Sequence, residues 1–290
     1  MIVRAPASSA NLGPGFDCFG IAWQLYNYIE FSPDDELIIT GCEEKYRTCE
    51  NLAYRSFALA LKKRGIGEKG VKIDFKTTDI PVSRGLGSSS ALIVAGALAA
   101  DGMYSLGLSK EELLEVTTEI EGHPDNVAPA LLGGLTASTM VGADPVTVHF
   151  PLSEKLHFAA LVPPFELSTA LARSVLPDEI TRGDAVFNVS RAALVLNALG
   201  SGDAALLGVG MEDRVHQPYR FPLIEGHELA GELVKKCGGK ALCISGAGST
   251  LLAVSDNEEF ADRLEKNIDP LGGWKVISLR CDREGAKILE

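Results

Sequence analysis

Three observations predict a mixed α/β or α+β protein in two domains. At 290 residues the chain has room for two compact units of roughly 100–200 residues each. Segments with strand spacing and segments with helix spacing alternate along its length. No internal repeat, low-complexity tract or long linker interrupts them, and the pattern places a seam near residue 155.

The first six residues read as a short strand, and 8–17 as a turn-rich segment (Ser-Ser-Ala-Asn-Leu-Gly-Pro-Gly-Phe-Asp). Asn51 is a natural cap for a helix through Ala53, Phe57 and Leu61 to about Arg64. Residues 71–75 alternate apolar and polar, as a half-buried strand does. A glycine-serine loop over 81–90 leads into an Ala-rich helix from Ala91 to about Tyr104. Ser109-Lys110-Glu111-Glu112 is a capping box that starts a helix through Leu113 and Val116 to about Ile120. The polar loop 121–126 opens a short helix at 127–134, and strands follow near 135–141, 146–150 and 156–162. The second half predicts helices at 184–200, 225–237 and 257–266. It also predicts strands at 241–244, 250–255 and 274–279, the first two flanking a glycine turn at 245–249.

Charge narrows the partners. Thirty-nine acidic against 27 basic side chains leave a net charge of −12, which repels phosphate backbones and anionic lipid, so no nucleic-acid and no membrane partner is expected. The longest apolar run, 91–100, is half a bilayer span. No charged and apolar leader is visible at the start, and the six cysteines form neither a C-x-x-C pair nor a zinc spacing. The expectation is a cytoplasmic protein with reduced thiols.

The segment Pro81-Val82-Ser83-Arg84-Gly85-Leu86-Gly87-Ser88-Ser89-Ser90-Ala91 carries the clearest chemistry. Gly85 and Gly87 allow positive φ and close approach of backbone to a ligand, and the helix that follows offers unpaired N–H groups and a positive dipole end. Together they form a phosphate cradle, and a serine at its mouth can complete a Mg²⁺ shell. The plain structural alternative is a glycine turn with serine caps. No lysine follows the glycine pair, so this is no Walker A loop, and Ser90 stands where a dinucleotide fingerprint needs glycine.

This segment resembles the phosphate-binding motif of the GHMP kinases. Two more, Ala5-Pro6-Ala7-Ser8-Ser9-Ala10-Asn11-Leu12-Gly13-Pro14-Gly15-Phe16-Asp17 and Glu121-Gly122-His123-Pro124-Asp125-Asn126-Val127-Ala128-Pro129-Ala130, resemble the homoserine kinase family within it. The likeness extends to Ser168–Arg173, Gln217-Pro218-Tyr219-Arg220 and the turn at 245–250. There Ala247 and Ser249 stand where the family shows serine and proline.

The resemblance implies an α+β, two-domain GHMP kinase-like fold. Residues 1–155 would form a ribosomal-protein-S5-like ATP-binding domain, and 156–290 a ferredoxin-like C-terminal domain. It implies ATP-dependent phosphorylation of L-homoserine to O-phospho-L-homoserine on the way to threonine, with ATP and Mg²⁺ required. Homoserine is a zwitterion with a primary hydroxyl. Arg173 and Arg220 offer forks for its carboxylate, and Asp17 with the Asn11 amide can take the ammonium. His123, Thr169 and Gly248 complete the implied substrate pocket. Asn126 can orient the hydroxyl. Asp125 is the candidate base, although a carboxylate that ordinarily titrates near ~4 is poorly matched to an alcohol. Proton passage straight to the transferred phosphoryl group is the rival. Mg²⁺ is assigned to Ser89 and Glu121, with Glu119 as competitor. Two other readings stay open: a mevalonate, shikimate or sugar kinase on the same fold, and a non-catalytic nucleotide sensor. A homodimer is the expected assembly.

Overall fold

The computed structural model describes residues 1–289. Its first half runs β1 (Ile2–Asn11), β2 (Gly15–Pro33), β3 (Leu37–Thr40), α1 (Leu52–Lys63), β4 (Val71–Thr78), α2 (Ser88–Tyr104), α3 (Lys110–Glu121), α4 (Pro124–Leu132), β5 (Leu135–Val141) and β6 (Asp144–Phe150). The second half runs β7 (His157–Val162), α5 (Thr169–Ser174), α6 (Arg182–Ser201), α7 (Ala204–Gly210), α8 (Gln217–Arg220), α9 (His227–Lys236), β8 (Ala241–Ile244), β9 (Leu251–Ser255), α10 (Phe260–Glu265), β10 (Lys275–Leu279) and β11 (Lys287–Leu289). One sheet has the order β11-β1-β2-β4-β3, with β5 joining β2 and β6 joining β5. The other has the order β10-β7-β9-β8. Only β3 and β4 pair in parallel among the described strands, which is the α+β arrangement.

Local signals account for the helices that flank the cleft. The Asn51 side chain accepts from Ala53 N at 3.0 Å and starts α1, whose Ala53, Phe57, Ala60 and Leu61 face inward. Helix α2 is apolar nearly all round, as a core helix must be. It approaches α1 closely because Gly96 lies against the Ala53 carbonyl, where a Cβ would collide. Both arms of the capping box at the start of α3 are formed, and Gly122 ends the helix at φ +89°. Pro124 at the first position of α4 follows an extended His123.

The second sheet is buried on both faces, and its strands alternate accordingly. Phe158, Ala160 and Val162 of β7 join the core under the first sheet, whereas Ala159 and Leu161 join a second core with Ile224, Phe260 and Trp274. Trp23 packs on Phe158 at 5.1 Å between ring centres, so the first core crosses the seam.

Several elements differ from the sequence expectation. The first strand runs to Asn11, and α2 starts three residues earlier, at Ser88. The 19-residue β2 went unread because bulges break its period of two and because it pairs with β1, β4 and β5 in turn. β3, α5, α7, α8 and β11 are too short for periodicity to mark. β11 pairs with β1, so the end of the described chain lies in the first sheet rather than with 156–280. All six cysteines are free: Cys237 and Cys243 are buried, Cys18, Cys42 and Cys281 half-buried, and Cys49 exposed.

Candidate active site

A cleft of about 840 Å³ opens between the two halves. The glycine-serine loop forms one wall. Gly85 and Gly87 adopt φ +76° and +68°; a Cβ on Gly85 would press into the Ser245 and Gly248 carbonyls, and one on Gly87 into the Ser8 hydroxyl. Gly87 also caps α2 without a side chain, so the first-turn N–H groups of a 17-residue helix face the cleft unassisted. The loop is held by Ser8 N to Leu86 O at 3.1 Å and by the Ser245 hydroxyl donating to Gly85 O at 2.5 Å.

Not every residue of the expected phosphate segment turns toward the cleft. Val82, Ser83, Arg84, Gly85, Gly87, Ser88 and Ser89 line it, whereas Pro81 lies outside the lining and Leu86, Ser90 and Ala91 are buried. The Arg84 guanidinium donates to the carbonyls of Pro163 (3.1 Å) and Pro164 (2.9 Å), which makes it a strap across the halves.

The hydroxyls of Ser89 and Ser90 both donate to Glu121 Oε1, at 3.0 and 2.8 Å. Ser89 and Glu121 thus put a hydroxyl and a carboxylate oxygen side by side at the cleft wall, a hard-oxygen set suited to Mg²⁺. Glu119 does not join them: two positions earlier on α3 it points off the cleft and is exposed.

His123, Asp125 and Asn126 come together at the start of α4. Asp125 is 1% exposed and accepts from His123 Nδ1. Burial alone would depress the imidazole; the hydrogen bond to Asp125 and the charges of Asp125, Glu121 and Asp17 outweigh it and raise the ring above its ordinary value. The Ser8 hydroxyl donates to Asn126 Oδ1 at 3.0 Å, which fixes the amide and turns its NH₂ the other way.

At the far wall Arg173 forks onto Asp17, with Nη1–Oδ2 at 2.9 Å and Nη2–Oδ1 at 2.8 Å, and this pairing raises the guanidinium's pKa further. Asn11 is engaged at both ends of its amide: Oδ1 accepts from Asp17 N at 2.9 Å and Nδ2 donates to Gly246 O at 2.7 Å. Arg220 is only 2% exposed, and no described carboxylate lies within ion-pair reach of it. Burial and the neighbouring Arg173 lower its pKa. Thr169 and Gly248 line the same end.

Two sets of residues escaped the sequence reading. Cys42, Lys45, Tyr46 and Asn51 line the opposite end of the cleft, and of these only Asn51 carries a sequence signal, as the cap of α1. His216, fully buried against Arg220, precedes the recognised Gln217–Arg220 segment, and that adjacency was its only signal.

The chain is similar to known proteins along nearly its whole length. Residues 51–134 match the family description "GHMP kinases N terminal domain". A homoserine kinase of Clostridium beijerinckii is 42% identical over 292 residues, covering 99% of this chain and 98% of the relative. One from Clostridium botulinum (strain Okra / Type B1) is 40% identical over 291 residues, covering 99% and 97%. The crystal structure of a homoserine kinase from Cytophaga hutchinsonii superposes with a TM-score of 0.90 at 28% identity, covering 100% of this chain and 97% of that one.

Proposed function

The chain belongs to the homoserine kinase family of the GHMP kinases, and on that premise we propose that it transfers the γ-phosphoryl group of ATP to the L-homoserine hydroxyl, giving O-phospho-L-homoserine and ADP on the route to threonine. The observation that carries the substrate assignment is Arg220: a buried guanidinium, without a carboxylate partner among the described residues, at a cleft wall that also holds Asp17. A ligand bearing both a carboxylate and an ammonium complements that wall at both of its charges. Its carboxylate lies against Arg220 and Arg173, its ammonium replaces Arg173 on Asp17, and one ion pair becomes two. An uncharged sugar leaves the Arg220 charge uncompensated.

The remaining residues order the transfer. Backbone N–H groups of residues 85–89 seat the phosphates, and the end lined by Lys45, Tyr46 and Asn51 takes the base. Ser89 and Glu121 hold Mg²⁺, which when bound neutralises charge on the phosphate oxygens. The amide NH₂ of Asn126, aimed by Ser8, meets the acceptor hydroxyl. Asp125 is paired with His123 and sets the charge beside the reacting oxygen, and the hydroxyl proton leaves with the transferred phosphoryl group. Asn11 acts through the loop that presents Asp17.

Residues 1–155 act as the nucleotide-binding domain and 156–290 supply the second wall, apart from the closing strand in the first sheet. No described helix is long and apolar enough to cross a membrane. The −12 charge, which repels phosphate backbones and anionic lipid, supports an enzyme of small molecules. The outward Val141, Val146 and Val148 of the β5–β6 hairpin support pairing into a homodimer.

An ADP-release assay with Mg·ATP across homoserine, mevalonate, shikimate and galactose tests the assignment. Turnover is expected with homoserine alone; turnover with mevalonate, shikimate or galactose in its absence overturns it.

A further inference from the structure

We infer that His216, as a neutral imidazole protonated on Nε2, is the positioning residue that aims Arg220 into the cleft. The inference rests on the reading of Arg220 as the seat of the substrate carboxylate.

Helix α8 is four residues long and cannot fix a guanidinium by itself. Arg220 Nε donates to Ala172 O at 2.9 Å, and Nη1 lies 3.4 Å from both His216 Nδ1 and Gly246 O. Nη2 has no protein partner among the described residues, and Arg220 lines the cleft. One edge of the fork is therefore held while the other is presented.

The protonation of His216 follows from its contacts. Its Nε2 lies 2.8 Å from Gly13 O, and a carbonyl can only accept, so Nε2 carries a proton. Burial drives the imidazole below its ordinary value, against the opposing pull of Asp213 and Asp17, so Nδ1 keeps a lone pair. That lone pair faces Arg220 Nη1. A doubly protonated ring would face the guanidinium with a second donor.

The rest of the surroundings hold the ring in place. It stacks on Phe16 at 5.2 Å between centres, and Phe16 lies 5.1 Å from the guanidinium carbon of Arg220 and 5.7 Å from that of Arg173. The buried Asp213 accepts from the backbone N–H groups of His216 (2.8 Å) and Gln217 (2.6 Å), and from Val215 N and the Asn188 amide. The bond to Gly13 ties the carboxylate seat to the turn that joins the strand ends carrying Asn11 and Asp17, so one side chain sets the spacing between the two charged grips.

Steady-state kinetics on three variants, with a spectrum of the parent protein, test this. His216→Phe keeps the stacking but neither hydrogen bond. It should raise KM for homoserine about tenfold or more, with KM for ATP and kcat within about threefold of the parent. His216→Gln, which retains a donor and an acceptor, should recover most of that loss. In the parent, the ¹⁵N imidazole shifts should show neutral His216 with its proton on Nε2 at pH 7. The inference is overturned if His216→Phe leaves the homoserine KM within twofold or changes the ATP KM equally, if the glutamine variant is as impaired as phenylalanine, or if the ring is cationic or protonated on Nδ1 at pH 7. The spectrum decides the matter if the phenylalanine variant does not fold. Arg220→Lys separates the two readings. If it leaves the homoserine KM unchanged, the carboxylate seat itself falls; if it raises that KM and His216→Phe does not, only the positioning role falls.

Discussion

The imidazole of His123 sits among three acidic side chains, and its protonation is linked to stability. A ring whose folded-state pKa exceeds the unfolded value of roughly 6.5 stabilises the fold fully below that value. The contribution disappears as pH rises through the raised folded-state value. The stability gap between the parent and His123→Gln, read from urea midpoints, should therefore be wide in mild acid and close on the alkaline side. A gap independent of pH would refute the charged pair. An NMR titration should place the His123 midpoint above 6.5, and Asp125→Asn should move it down.

Turns and caps decide how the elements present the site, and two glycines separate crowding from strain. Gly87 and Gly65 have nearly equal φ, +68° and +69°, yet a Cβ at 65 meets nothing within 4 Å while one at 87 strikes Ser8. Alanine at 65 should lose about 1 kcal/mol in denaturant unfolding and leave the ATP KM alone. Alanine at 87 should raise the ATP KM at least about tenfold, because the loop must move off Ser8 to admit the methyl group. Equal effects at the two sites would show that backbone conformation, not the Ser8 contact, shapes the cradle. At the start of α3, Ser109→Ala should lower stability by about 1 kcal/mol with kinetics unchanged. These caps and glycines are local signals, so α1, α2, α3 and the phosphate loop were legible in the sequence. The Ser89–Glu121 pairing needed motif resemblance, because 32 residues separate the partners, whereas the Asp17–Arg173 ion pair, 156 residues apart, needed the fold: the resemblance implies each of these residues only as a substrate contact. His216 needed the fold itself: its role is set by a carbonyl 203 positions away.

On the scale of the molecule, the two sheets share one continuous core through alternate residues of β7 and β9. Calorimetry should accordingly record a single unfolding transition, although two domains were expected from the sequence; two resolved peaks would contradict the shared core. The stretch from Arg280 to Leu289 is part of the first sheet's framework. Buried Asp282 accepts from Tyr26, Glu284 N and Gly285 N, and its backbone pairs with Ala22 and Gly134. A chain shortened after Arg280 should lose hydrogen-exchange protection in β1 and β2, far from the cut in sequence.

The uneven burial of the thiols has a practical outcome. Burial raises Cys18 and Cys42, lifts Cys281 to about 11 and pushes Cys243 to about 12, and Cys237 is enclosed. Cys49 alone stands in solvent, between Thr48 and Glu50 of the cleft lining. A maleimide fluorophore added to the unmutated enzyme would attach there first, and with the base seated as proposed its emission would report nucleotide binding.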